Sequence, residues 1–149
     1  MWKIGVKAGT TAGIALGLFL WIVEQLSGVK VYTLLLNIDF LPWLGIFFWP
    51  EAIEWLFHLM VSWVIGVLFV MTGWPGNKLS RTAVFLLTGA AAISYFPLSM
   101  LAEKRVPAPA DWGALFYWLS GHLVYAIVLY YSAVWFRVQS TDESPGKML

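Results

Sequence analysis

Cysteine is absent from this chain, which excludes disulfides, thiolate metal sites and cysteine nucleophiles and leaves the redox compartment unread. Charge is scarce as well. Only 11% of the 149 residues are charged, against roughly 25% in a soluble domain. The net charge is +1 and no basic cluster exists to neutralise a phosphate backbone, so nucleic acid is not an expected partner. Glycine-rich phosphate loops, a nucleophile elbow and an HExxH motif are all missing. Ser62 and His58 lie on consecutive turns of one expected helix without a third member to complete a triad. We therefore expect neither an enzyme nor a cofactor. Lipid-modifying chemistry by His and Glu side chains stays open as the catalytic alternative.

What the chain does have is apolar surface. Hydrophobic residues make up 60% of it and aromatic residues 17%, more than a soluble fold of this size can bury. A bilayer core of about 30 Å needs about 20 helical residues. Four segments reach that length, at about 5–23, 50–72, 82–101 and 112–136. These predict an all-α integral membrane four-helix bundle, one domain over 1–137, followed by a polar, disordered cytoplasmic tail at 138–149. The first segment has a Lys-containing start like a signal peptide, but Glu24, Gln25 and Leu26 provide no small-x-small cleavage site, so it is read as a retained helix. Between the first two helices, Asn37, Asp39 and Pro42 break up runs too short to span, which predicts an irregular interfacial or re-entrant segment. Pro50 suits the start of the second helix, residues 73–77 a tight turn, and Pro97 a kink or end of the third.

Gly5, Gly9, Gly13 and Gly17 recur every four residues in the first helix, with Ala8 and Ala12 beside them. That ridge lets another helix approach closely. It could serve packing within the bundle, a second copy of the chain, or another membrane protein.

Lys3, Lys7, Lys78, Arg81, Arg137 and Lys147 fall at one set of helix ends, and Lys30, Lys104 and Arg105 at the other. The positive-inside bias places both termini in the cytoplasm. Trp2, Trp74 and Trp135 are then expected in an inner aromatic belt, and Trp21, Trp43, Trp49, Trp55 and Trp112 in an outer one. Six of the eight carboxylates, Glu24, Asp39, Glu51, Glu54, Glu103 and Asp111, gather on the outer side.

The second helix organises the functional reading. At 100° per residue Glu51, Glu54, His58, Ser62 and Gly66 share one arc, and ionisable groups in such a helix are costly unless they face protein or a wet cavity. Glu24 projects to the glycine side of the first helix, and His122, Tyr125 and Ser132 share a face of the fourth. Glu54 and His58, with His122 and Glu24, have spacings a metal could use, but no metal motif accompanies them and no metal is expected. Two readings remain. The histidines hold helices in register by hydrogen bonds, or they respond to protons, since an unperturbed imidazole has a pKa of about 6.5.

Ala8-Gly9, Glu24, His58 followed by Ser62, Phe96-Pro97-Leu98, Trp112 and Gly121-His122-Leu123-Val124 together resemble the YagU-type bacterial inner-membrane proteins. The likeness runs over most of the chain, with Phe96 to Leu98 and Gly121 to Val124 its most specific motifs, while 51–54 and 104–111 match less well. It implies a bacterial cytoplasmic-membrane address and a connection to acid stress, and no defined reaction. We expect an outer-side cluster of Glu24, Glu54, His58, Ser62, His122 and Tyr125 that senses or conducts protons. The alternative is a scaffold that binds a partner or itself through the glycine-rich face. Lys7 is the one ionisable residue expected in the inner half, which tells against a transporter.

Overall fold

The computed structural model describes residues 1–39, 49–72 and 78–142. Among the described residues six helices occur in order: α1 (Trp2–Ser27), α2 (Val31–Leu36), α3 (Glu51–Met71), α4 (Lys78–Ile93), α5 (Tyr95–Leu101) and α6 (Trp112–Asp142). Among the described residues the fold is all-helical, and four stretches, Trp2–Ser27, Glu51–Met71, Ser80–Leu101 and Trp112–Ser140, are long and apolar enough to cross a membrane. This agrees with a four-helix bundle. Pro42, Trp43, the turn expected at 73–77 and the last part of the tail lie outside the described residues.

Helix boundaries follow local chemistry. α1 ends where Gly28 adopts φ 74°, and its N–H donates to the Glu24 carbonyl at 2.9 Å. Without a Cβ, glycine takes this left-handed conformation cheaply. The chain then turns back into α2. Pro50 is the N-cap of α3 rather than a residue of its first turn, and its carbonyl accepts from the Ile53 N–H at 2.8 Å. The third expected helix is divided. Proline has no N–H and its ring clashes with the carbonyl four residues back, so Pro97 acts at Ile93, where α4 stops; Ser94 separates it from α5. α6 begins at an Asp111 cap, whose Oδ1 accepts the Ala114 N–H at 3.0 Å. It runs on to Asp142, through the first residues of what we expected to be tail.

α1 is the central helix, packed by α3 on one side and α6 on the other, and α4 packs on α6. The glycine ridge explains the first contact. A Cβ built on Gly5 lies 2.6 Å from the Val67 Cα, and one on Gly9 lies 2.5 Å from the Ser62 carbonyl oxygen. On Gly17 it would collide with the Trp55 ring, and on Gly66 of α3 with the Gly5 carbonyl. The two backbones therefore meet with no room for side chains. The face we left open to a second copy or a partner protein is filled by α3. Trp55 lies over Gly17 and donates from Nε1 to the Tyr32 hydroxyl at 2.8 Å. Trp2, Trp21, Trp112 and Trp135 are exposed on the bundle surface.

On the other side of α1, Leu16 and Leu20 reach across to Gly121 of α6. Ala8, Ala12, Leu20, Ala114, Leu129 and Ala133 are all fully buried. α3 and α4 touch only sparingly. The bundle is consequently open along that seam, and a cavity occupies it.

Candidate functional site

The cavity has a volume of about 320 Å³. α3 supplies Glu54, His58, Val61 and Ser62, each a turn or less from the next; α6 supplies Trp118, His122 and Tyr125; α4 supplies Ala91, and Ser94 follows its last residue. Leu35, Leu36, Asn37 and Ile38, from α2 and the residues after it, close one end, and Leu16 of α1 contributes to the wall. Five of the six residues expected in one cluster thus share one cavity.

Glu24 is the exception. It is buried at 6% exposure, but its carboxylate is spent on the turn after α1: Oε1 accepts from Lys30 Nζ at 3.0 Å and Thr33 Oγ1 at 2.8 Å, and Oε2 from the Thr33 N–H at 2.9 Å. Its place on the glycine side was readable. Its partners depend on the Gly28 turn, which folds α2 back over the end of α1.

The histidines are oriented by backbone. His58 Nε2 lies 3.0 Å from the Gly13 carbonyl oxygen, across the α1–α3 contact, a reach that the missing side chain of Gly13 permits. His122 Nδ1 lies 2.9 Å from the Trp118 carbonyl oxygen, one turn back on its own helix. A carbonyl only accepts, so each of these nitrogens carries the hydrogen. The second nitrogen of each neutral ring, His58 Nδ1 and His122 Nε2, is then a bare lone pair. Neither makes a hydrogen bond to the described residues. Aromatic neighbours hold both rings: Trp55 stands edge-on to His58 at 5.7 Å between centroids, and Trp118 lies 4.7 Å from His122. Only His58 therefore links two helices, as the register reading required; His122 bonds within α6.

Ser62 and Tyr125 form the floor. Ser62 Oγ donates to the Gly9 carbonyl at 2.6 Å, which uses its only hydrogen. Across 2.9 Å the Tyr125 hydroxyl must then be the donor to Ser62 Oγ. Ser132, on the same face of α6, bonds back to its own helix at the Val128 carbonyl.

No protein-family model matches the chain, and no curated protein or solved structure is similar to it. The site must be judged on its geometry.

At the α2 end, three connections that spacing could not foretell tie the cavity mouth. Glu54 pairs with Lys104, from the link between α5 and α6. Asp39 Oδ2 accepts the N–H groups of Glu103 at 3.0 Å and Lys104 at 2.7 Å. Tyr32 donates to Glu51, and burial together with that carboxylate pushes its phenol up to about 12. Asn37 and Ser94 were not singled out from sequence as site residues; the one signal was a polar Asn37 within an apolar run. Among the described residues no three His, Asp or Glu side chains are grouped so as to hold a metal ion.

Proposed function

We propose that this chain is a small multi-pass protein of the bacterial cytoplasmic membrane, both termini in the cytoplasm, whose half-depth cavity is a proton-responsive site. The observation that carries the reading is the pairing of His58 and His122, from different helices, in one cavity with one ring nitrogen of each unengaged. Four helices of spanning length and the Lys and Arg distribution support the membrane address and orientation. Likeness to the YagU type, resting on Phe96 to Leu98 and Gly121 to Val124, supports a role under acid stress.

The groups that face the two imidazoles are few. Glu54 stands one turn from His58 on α3, Tyr125 stands three residues from His122 on α6, and both histidines line the cavity. Among the described residues, α1, α2, α4, α5 and the residues just after α2 and α4 add Leu16, Asn37, Ser94 and apolar side chains, and no titratable group. Protonation would give each ring a second N–H and convert a hydrogen-bond acceptor into a charged donor, a local event that can bias a loosely joined seam. Sensing fits better than conduction, because the polar lining of the cavity ends at Ser62 and Tyr125.

The deciding experiment follows nitrogen-15 histidine spectra of the full chain in nanodiscs between about pH 8 and about pH 4, with His58→Phe and His122→Phe for assignment. Reversible passage from one ring N–H to two, accompanied by altered tryptophan fluorescence, is the expected result. If both rings stay neutral throughout the range in which the protein remains folded, the proposal fails.

A further inference from the structure

Hydrogen-bond donors and acceptors around the cavity are strongly unbalanced. Among the described residues, every side-chain donor in its wall but one is already used. The Trp118 indole N–H goes to the Ala92 carbonyl at 2.9 Å, the Ser94 hydroxyl to Ala91 at 2.6 Å, the Ser62 hydroxyl to Gly9, and the Tyr125 hydroxyl to Ser62. Asn37 gives one amide hydrogen to Asp39 at 2.6 Å, and its second is the single donor left over. Acceptors, by contrast, remain: His58 Nδ1, His122 Nε2 and a lone pair on the Tyr125 oxygen. The residues that carry them lie on α3 and α6 and line the cavity, while Leu35, Ile38, Val61, Ile65 and Leu98 add apolar wall. Val61 is 60% exposed on the outer surface of α3 and also lines the cavity, so the space reaches the bundle exterior through the open seam between α3 and α4.

We infer that this cavity takes a neutral amphiphile with an apolar body and one hydrogen-bond-donating hydroxyl, an aliphatic alcohol or an undissociated carboxylic acid, admitted sideways between α3 and α4. About 320 Å³ is at the small end of the range of roughly 300–1,000 Å³ for ligand sites, which suits a single short chain and excludes a two-chain phospholipid. An anionic head would meet mostly lone pairs, with the second Asn37 amide hydrogen the one side-chain donor left over among the described lining residues and the Glu54 carboxylate already paired with Lys104. A hydroxyl supplies a donor to an imidazole nitrogen that has no hydrogen-bond partner among the described residues. The inference rests on the cavity being the functional site, but not on the rings being charged, because acceptors exist only while they are neutral.

The test uses the full chain in nanodiscs at about pH 8, where unperturbed imidazole is neutral, with decanol as probe and nitrogen-15 histidine spectra as readout. Decanol should move the His58 Nδ1 and His122 Nε2 resonances saturably. Decyl methyl ether, of similar size but without a donor, should not. Val61→Trp, at an exposed position that leaves the core untouched, should block the response by filling the opening. His122→Phe should weaken decanol binding about tenfold, the loss of one hydrogen bond to a neutral group. Decanoic acid, tested above and below its own titration, separates the sources: binding only of the undissociated form adds the acid to the ligand class, and no binding in either form restricts it to alcohols. The inference is overturned if the ether acts like decanol, if decanoate anion binds more tightly than decanol, or if the response is unsaturable and survives Val61→Trp. Rings that titrate while ignoring decanol sink this inference alone. Rings that bind decanol but never protonate sink the proton-responsive reading alone.

Discussion

The same substitution, glycine to alanine, should have opposite effects at Gly9 and Gly89. In a helix interior alanine is favoured over glycine by roughly 0.5–1 kcal/mol, because it loses less backbone freedom on folding. At Gly89 of α4 a Cβ meets nothing within 4 Å, so this gain is unopposed. At Gly9 the new methyl would lie 2.5 Å from the Ser62 carbonyl oxygen, 3.0 Å from its carbon and 3.1 Å from the Trp63 Cα. All three are backbone atoms, so no rotamer change can relieve the clash and α3 must move away. Overpacking of this kind costs about 1–3 kcal/mol. The movement also strains the Ser62 to Gly9 hydrogen bond, worth about 1 kcal/mol, and with it the Tyr125 contact. Net destabilisation by about 1–3 kcal/mol is expected for Gly9→Ala, against a gain of up to about 1 kcal/mol for Gly89→Ala. Reversible unfolding of the detergent-solubilised chain, followed by tryptophan fluorescence, measures both. If Gly9→Ala is as stable as Gly89→Ala, α1 and α3 do not pack through the ridge and the placement of His58 beside Gly13 loses its basis.

Asp111→Ala removes the N-terminal cap of α6 and should cost about 1 kcal/mol in the same unfolding assay, while Asp111→Asn should recover most of it. Asp39→Ala unties the amides of Glu103 and Lys104 at the cavity mouth. Hydrogen exchange at those two amides should accelerate about tenfold or more, with the α1 core unchanged. Tyr32 should titrate near pH 12 in a tyrosinate difference spectrum taken against Tyr32→Phe. Its neutral form is the one favoured by folding, so its contribution to stability is full below the usual pKa of about 10 and is lost as pH rises through about 12. Glu51→Gln should lower the midpoint but leave it above 10, since burial is the larger cause.

Residues whose role depends on helical period alone were legible in advance. Gly5, Gly9, Gly13 and Gly17 share a face because four residues are close to one turn, and His58, Ser62 and Gly66 repeat the period on α3. Which helix fills the ridge is a tertiary fact, and it is α3 of the same chain. Glu24 projects correctly yet belongs to another network, because one left-handed glycine decides what packs on it. Pro97 was expected to disturb its helix near itself. Its effect appears four residues earlier, where the ring excludes the Ile93 carbonyl from the ladder. Lys104 and Asp39 are far from Glu54 in sequence, and no periodicity connects a loop to a helix start.

Proton movement through a bundle needs groups that exchange protons in an unbroken series, or water between them. Along α3 the series Glu54, His58, Ser62 advances by one turn at a time from the α2 end, and Tyr125 joins it from α6. The next turns of α3 present Gly66, Phe69 and Val70, and those of α6 present Leu129, Ala133 and Ser132, whose hydroxyl is held by the Val128 carbonyl of its own helix. Phe69, Leu129 and Ala133 are fully buried, Val70 nearly so, and Ala8 and Ala12 of α1 fill the remaining space. Close-packed apolar side chains leave no room for a water file. Tyr125 itself holds its hydrogen toward Ser62, whose own hydrogen is committed to a helix carbonyl that cannot pass it on. A proton admitted from the α2 end therefore stops at the histidines. Proteoliposomes containing the unaltered chain should carry no more proton flux than empty vesicles under an imposed pH gradient. Flux that His58→Ala or His122→Ala abolishes would require the apolar layer to open, and would replace sensing with conduction as the function proposed for this cavity.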